Sequence, residues 1–309
     1  VQTTLKSPVT VSGIGLHSGS PARVVLRAAR PGTGVRFRRT DVEAAAAEIP
    51  ALWDHVLVSP LNTRIVNESG VYVSTIEHLM AALAGTGVTN VLVEIDGPEV
   101  PILDGSSAPW LRAIQSAGLR RQSVPLHVIE VLRPVEVRDG LVSARLEPAR
   151  GLEMSFAIDF PDAAIGRQRK ALSLSGDAFA RELSDSRTFC RAADVEAMRG
   201  RGLALGGTYL NAVVVDGPRV LTPGGLRHPD EAVRHKMLDA LGDLYTAGAP
   251  IVGRYRGVRA GHAMTNRLLR ALFADPHAWR RVTGTAEMLA RLPGAGATAE
   301  SLADLQAVA

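Results

Sequence analysis

The chain has 309 residues, 46% hydrophobic and 21% charged, with a net charge of +4 and a single cysteine. That length holds two domains of roughly 150 residues with a core each, and the ordinary balance of apolar and charged residues excludes a disordered chain. Cys190 alone excludes an intrachain disulfide and a thiolate-rich metal cluster, and an aromatic fraction of 4% without a basic stripe argues against nucleic acid as the main partner. The mild basic balance suits an anionic small molecule, with at most transient contact at an anionic membrane surface.

The amino terminus, Val1-Gln2-Thr3-Thr4-Leu5-Lys6, has no apolar signal core, and no run of roughly 18 apolar residues occurs. The expected location is the cytoplasm. The first residue is not Met, so a few native residues are expected to be missing. Short β-type runs punctuated by Gly and Pro predict strands at 8–14, 22–28, 34–38, 65–66 and 71–73. Helical periodicity follows at about 75–84 and 106–117, on either side of a strand at 90–95. The Ser74-x-x-Glu77 spacing reads as a capping box, which predicts that the first helix starts at Ser74.

Apolar periodicity stops at 120–125, and the boundary between two domains, 1–123 and 124–309, is placed there. The second part is predicted to have strands at 126–137, 141–147 and 152–160, then helices near 178–182, 194–199, 231–246 and 261–274. Apolar runs at 203–207 and 210–215 form an insert against which a lipid chain can lie. Each half reads as strands first and helices after, an α+β class with a sheet layer packed on helices. Element order alone suggests that the halves are alike. The Ala- and Gly-rich tail after Leu292 is expected to be mobile or weakly helical, and the lack of heptads makes a monomer the default.

Three separated segments carry the chemistry. His235 and Asp239 are four residues apart, so on a helix they share a face, with Asp243 one turn further. An i,i+4 His–Asp pair also fits a surface salt bridge, but two aspartates on one face repel unless a cation or a histidine joins them. His78 can supply a third ligand, and two imidazoles with one carboxylate leave the fourth zinc position open, as in catalytic sites. Glu77, beside a ligand, is a candidate general base, although a capping box also accounts for it. His262 follows Gly261 at a helix amino terminus, where the dipole lowers its pKa, so it needs a carboxylate such as Asp243 to stay protonated.

These segments, Ser74-Thr75-Ile76-Glu77-His78-Leu79-Met80-Ala81-Ala82-Leu83 and His235-Lys236-Met237-Leu238-Asp239-Ala240-Leu241-Gly242-Asp243, stand with Pro101-Ile102-Leu103-Asp104-Gly105-Ser106, Ser186-Arg187-Thr188-Phe189 and Gly261-His262. Together they resemble the zinc-dependent UDP-3-O-acyl-N-acetylglucosamine deacetylase family, which performs the committed step of lipid A synthesis in Gram-negative bacteria. The likeness runs from Gly13-Ile14-Gly15-Leu16-His17 to the last helix.

The resemblance implies two α+β domains of similar topology, each with a small insert, and a site at their interface. It implies one zinc ion per chain on His78, His235 and Asp239; His and carboxylate ligands accept several divalent ions, so Fe2+ is the alternative metal. It further implies Glu77 as base, His262 with Asp243 as acid, and Thr188 as oxyanion donor. Lys236, Phe160, Phe189 and the passage after Cys190 are implied to contact a UDP-linked acylated amino sugar. Where the family often has a lysine near the diphosphate, Arg259-Ala260 stands here, which retains a cation. Two competing readings are a metallohydrolase of another substrate, and a binding module that kept the fold without the chemistry.

Overall fold

The computed structural model describes residues 1–59 and 61–295. The first half runs β1 (Gln2–Leu5), β2 (Val9–Ile14), β3 (Pro21–Ala28), β4 (Val35–Arg39), β5 (Glu48–Pro50), β6 (Val56–Leu57), β7 (Arg64–Val66), β8 (Tyr72–Ser74), α1 (Glu77–Thr86), β9 (Val91–Ile95), α2 (Ala108–Ala117) and β10 (Leu119–Gln122). Next come β11 (His127–Val131), β12 (Val135–Asp139), β13 (Val142–Glu147), β14 (Leu152–Asp159), β15 (Arg167–Ser173), α3 (Ala178–Glu182), β16 (Phe189–Arg191), α4 (Ala192–Gly200), β17 (Val213–Asp216) and β18 (Arg219–Val220). The described chain ends with α5 (Glu231–Tyr245), β19 (Ile251–Val258), α6 (His262–Ala274), β20 (Trp279–Thr283) and α7 (Ala286–Ala290).

The second half repeats the strand pairing of the first. In the order β2-β3-β9-β4-β5 the successive pairs are antiparallel, antiparallel, parallel and antiparallel. The order β12-β13-β19-β14-β15 has the same four pairings in the same sequence. β1 pairs with β10 as β11 pairs with β20, both antiparallel. A small three-stranded sheet precedes the long helix of each half, β6-β7-β8 before α1 and β16-β17-β18 before α5. The protein is thus two similar α+β units, each a sheet packed on helices. Among the described residues no helix is long and apolar enough to cross a membrane.

α1 lies between the two cores and is buried along its whole length. A helix apolar on all sides belongs in such a place. Leu79, Met80, Ala82 and Leu83 join the core of the first half, while Ala81 and Ala84 join that of the second. α1 packs directly on α5. Their close crossing depends on Gly242, where a Cβ would fall inside the van der Waals radius of the Glu77 carbonyl oxygen.

Several expectations change. α1 starts at Glu77, because Ser74 closes β8, donates its hydroxyl to Pro98 O and is followed by Thr75 in the left-handed region at φ 57. No capping box forms. The strand expected over 126–137 is two strands, interrupted at Leu132-Arg133-Pro134, where proline offers no N–H. The segment 120–125, expected to be irregular, contains most of β10 and pairs with β1. β19, not anticipated, is the central strand of the second sheet, and its Gly253 and Gly257 admit Val131 and the Phe156 ring against the backbone. Most of the tail after Leu292, residues 296–309, lies outside the described residues.

Gly242→Ala tests the crossing. Alanine is the better helix former by about 1 kcal/mol, but overpacking costs about 1 to 3 kcal/mol. Because the obstacle is backbone rather than a movable side chain, the urea midpoint of Gly242→Ala should fall. An unchanged or raised midpoint would show that the helices separate at no cost.

Candidate active site

The crossing of α1 on α5 brings distant residues together. His78 Nε2 and His235 Nε2 lie 3.5 and 3.2 Å from Asp239 Oδ1, and one ligand atom from each of the three residues falls within 4.8 Å of the others. All three side chains are buried. Despite these distances Asp239 Oδ1 makes no hydrogen bond of acceptable geometry, and an orphaned buried carboxylate oxygen is costly. Three ligands each about 2.0 to 2.2 Å from a tetrahedral ion are about 3.3 to 3.6 Å apart, so the spacing to Asp239 and the orphaned oxygen fit a divalent metal. His235 Nδ1 donates to Ser186 O at 2.9 Å, which orients the ring with Nε2 toward Asp239.

The electrostatics agree with that use. Burial lowers the pKa of His78 and favours the neutral, ligating ring. For Asp239 burial acts upward, but the charges of His235 and Lys236 hold the carboxyl well below its usual range. Lys236 Nζ donates to Asp239 Oδ2 at 3.1 Å.

Glu77 is buried beside the cluster, and Thr63 N–H donates to its Oε2 at 3.0 Å. Burial pushes its carboxyl up to about 7; His262 acts against the rise, and Asp239 and Asp243 add to it. His262 opens α6, and its Nδ1 donates to Asp243 Oδ2 at 2.9 Å. Burial would lower this imidazole, but Asp243, followed by Glu77 and Asp239, outweighs burial and pushes it up to about 9. A carboxyl raised to about 7 and an imidazole raised to about 9 therefore stand beside the His78, His235 and Asp239 cluster.

Thr188 is half-buried; with His17, Leu61, Phe189, Val195 and Met198 it lines an apolar cavity of about 450 Å³ against the second insert. Phe160 and Phe189 meet edge to face at 5.3 Å, and Phe189 meets the His235 ring at 6.3 Å. Arg259, left-handed at φ 51, pairs with Asp159. Two further cavities, lined in part by Tyr245 and Pro250, contain none of these residues.

Sequence reasoning missed the support. Arg187 and Glu231 form a buried ion pair, with Nε on Oε1 at 2.8 Å and Nη2 on Oε2 at 3.1 Å. Burial would raise Glu231, but the Arg187 side chain and the backbone N–H groups of Arg187 and Arg227 hold it below the ordinary carboxylate value. Glu231 is four residues before His235 on the same stripe of α5, so the pair secures the segment whose Ser186 carbonyl orients His235. The i,i+4 spacing was the available signal, but the arginine partner was invisible to it. Thr63 was given no role of its own, since nothing about a threonine between short strands marks it as the partner of Glu77 and Asp243.

The constellation is that of a metal-dependent amidohydrolase. The family model described as LpxC, UDP-3-O-acyl N-acetylglycosamine deacetylase, matches residues 2–274. A protein of Phenylobacterium zucineum named UDP-3-O-acyl-N-acetylglucosamine deacetylase is 51% identical over 279 residues, covering 90% of this chain and 95% of its own length. Proteins of the same name from Shewanella loihica and Shewanella oneidensis are 46% and 45% identical over 284 residues, each covering 91% of this chain and 92% of their own. The chain belongs to the UDP-3-O-acyl-N-acetylglucosamine deacetylase family.

Removing one member of a buried ion pair strands the other. Arg187→Met should cost about 3 to 5 kcal/mol in chemical denaturation, with part recovered when Glu231→Gln is added. The Glu231 contribution is present above its ordinary value of 4.5 and is lost as pH falls through its lower folded value, so the wild type should lose more stability on acidification than the double variant. Equal stability of Arg187→Met and wild type would remove the pair from this role.

Proposed function

We propose that the protein is a cytoplasmic, zinc-dependent deacetylase that hydrolyses the acetamide of UDP-3-O-(3-hydroxyacyl)-N-acetylglucosamine to UDP-3-O-acyl-glucosamine and acetate, the committed step of lipid A synthesis. The observation that carries this reading is the buried Asp239 Oδ1, without a hydrogen bond and faced by two imidazole nitrogens. His78, His235 and Asp239 would hold the ion, Zn2+ with Fe2+ as the alternative. Bound there, the ion supplies a Lewis acid and lowers the pKa of water.

Glu77 accepts the proton of the attacking water, with one of its oxygens already occupied by Thr63 N–H. The Thr188 hydroxyl donates to the oxyanion of the tetrahedral intermediate, a contribution of roughly 3 to 4 kcal/mol for one placed donor. An amide anion is too basic to leave, so His262 protonates the nitrogen as the C–N bond breaks, and Asp243 stabilises the imidazolium until then. Acetate and a free amine result.

The named relatives supply the substrate class. The cavity of about 450 Å³ suits the acyl chain. The Phe160–Phe189 pair offers aromatic faces to uracil, and Lys236 and Arg259 offer cations to the polar groups and the diphosphate. The exposed Leu205, Tyr209 and Leu210 beside the cavity suit brief contact with a membrane surface. A monomer, with domains divided at 123/124, completes the reading.

Acetate release from the UDP-linked substrate is the direct test. A chelator should abolish it, one equivalent of zinc should restore it, and Asp239→Ala should lose both metal and activity. If Asp239→Ala kept stoichiometric zinc and full rate, the ligand set would be wrong. Activity on amides lacking UDP or the acyl chain would point to another substrate.

The pH profile provides a second check. Glu77 must be ionised and His262 protonated, so kcat/KM should rise through the Glu77 value and fall through the His262 value. Without metal these lie at about 7 and about 9. A dication favours deprotonation of both groups, so both limbs of the loaded enzyme should lie on the acid side of those values. His262→Gln should lose the basic limb, and if it retains the wild-type rate and profile, the acid is another group.

A further inference from the structure

We infer that Thr63 is a positioning residue that sets the proton acceptor and the proton donor of this site relative to each other. The inference rests on the acid and base roles proposed above. Three hydrogen bonds converge on this one buried residue. Its N–H donates to Glu77 Oε2 at 3.0 Å, and its hydroxyl donates to Asp243 Oδ1. Its carbonyl accepts from Ile76 N–H at 3.3 Å, the residue just before Glu77.

The two side-chain partners belong to opposite halves of the site. Glu77 starts α1 and Asp243 lies near the end of α5. Asp243 uses its other oxygen, Oδ2, for His262 Nδ1. With Oδ1 fixed by Thr63 and Oδ2 by His262, the carboxylate cannot rotate without losing a buried bond, and the His262 ring is held through its Nδ1. With Oε2 fixed by Thr63 N–H, Glu77 is left with Oε1 as its free acceptor. The hydroxyl has one proton and Asp243 is an acceptor, so the direction of that bond is fixed.

The neighbouring residue strengthens the anchor. Asn62 Nδ2 donates to Thr75 Oγ1 at 3.0 Å, and Thr75 Oγ1 donates to Glu99 Oε1 at 2.9 Å. Glu99 also accepts from the backbone N–H groups of His17 and Ser18. Thr75 is the left-handed residue that turns β8 into α1. The loop ahead of β7 is therefore fastened to the turn that aims Glu77, and Thr63 extends that fastening to α5.

Thr63→Val keeps the shape and removes only the hydroxyl. In zinc-loaded protein it should lower kcat by about tenfold or more, the scale expected when a catalytic group shifts by a fraction of an ångström to 1 Å, with KM and bound zinc within twofold of wild type. Thr63→Ser should restore kcat, because it retains both donors. A second readout is independent of turnover: in metal-free protein at pH 7 the His262 Nδ1 proton should give a downfield NMR signal that Thr63→Val weakens by faster exchange and Thr63→Ser preserves. Thr63→Ala serves in the same two measurements if the valine variant does not fold. An unchanged NMR signal together with kcat within twofold of wild type would overturn the positioning role. A wild type without deacetylase activity, but with an NMR signal sensitive to Thr63, would instead overturn the proposed function and leave the link from Thr63 to Asp243 standing.

Discussion

The close crossing of α1 on α5 is the constraint on which the rest depends. Side chains longer than hydrogen at position 242 would push the helices apart at the point where Glu77 begins α1. His78 comes from one helix, and His235 with Asp239 from the other. A separation of 1 Å would be tolerable for core packing but not for the proposed ligands, which would all lie about 2 Å from one ion. The glycine therefore costs helix propensity in an otherwise ordinary helix, and the return is a His-His-Asp cluster assembled from two halves of the chain.

Burial follows from that crossing, and burial determines the chemistry. Glu77, Asp239 and Asp243 are all out of water, within range of three imidazoles. Desolvation is the largest influence on nearly every group, but the outcomes diverge because the neighbours differ. Glu77 rises because burial, with Asp239 and Asp243, outweighs His262, while Asp239 has His235 and Lys236 and falls. His78 falls, and His262, bonded to Asp243, rises. Groups of one type are thus shifted in opposite directions within one site, which is what the proposed division into base, acid and ligand requires.

How much of this was legible in the sequence depended on whether a residue's partner was local. The face shared by His235, Asp239 and Asp243 follows from helical spacing, and α5 and α6 were placed within a residue or so of their observed ends. Grouping His78 with that face required a tertiary contact, and what suggested it was ligand chemistry together with the resemblance to a known family. β19 escaped because Gly253 and Gly257 interrupt its alternation, and the reason for those glycines, Val131 and the Phe156 ring pressing on the backbone, exists only in the folded sheet. Ser74 misled in the opposite sense: a local capping pattern was present, but a turn at Thr75 and the pull of Thr63 on Glu77 overrode it. Arg187 and Glu231 are 44 residues apart, and no spacing rule joins them.

The repeated topology explains why supports come in matching places. α1 and α5 occupy equivalent positions in the two halves, each preceded by a three-stranded insert. The first insert contributes Thr63, between β6 and β7, and the second is entered through Ser186, Arg187 and Thr188, just before β16. Each insert thus lies next to the amino-terminal part of the helix that carries ligands and can hold it from outside the sheet. The halves diverge in what they add: the first has Glu77 bonded to a backbone N–H, and the second has His235 bonded to a backbone carbonyl. A carboxylate needs a donor and a ligating imidazole needs an acceptor on its far nitrogen. Two similar scaffolds, crossing at their long helices, therefore reach different chemistry by changing the polarity of one backbone contact each.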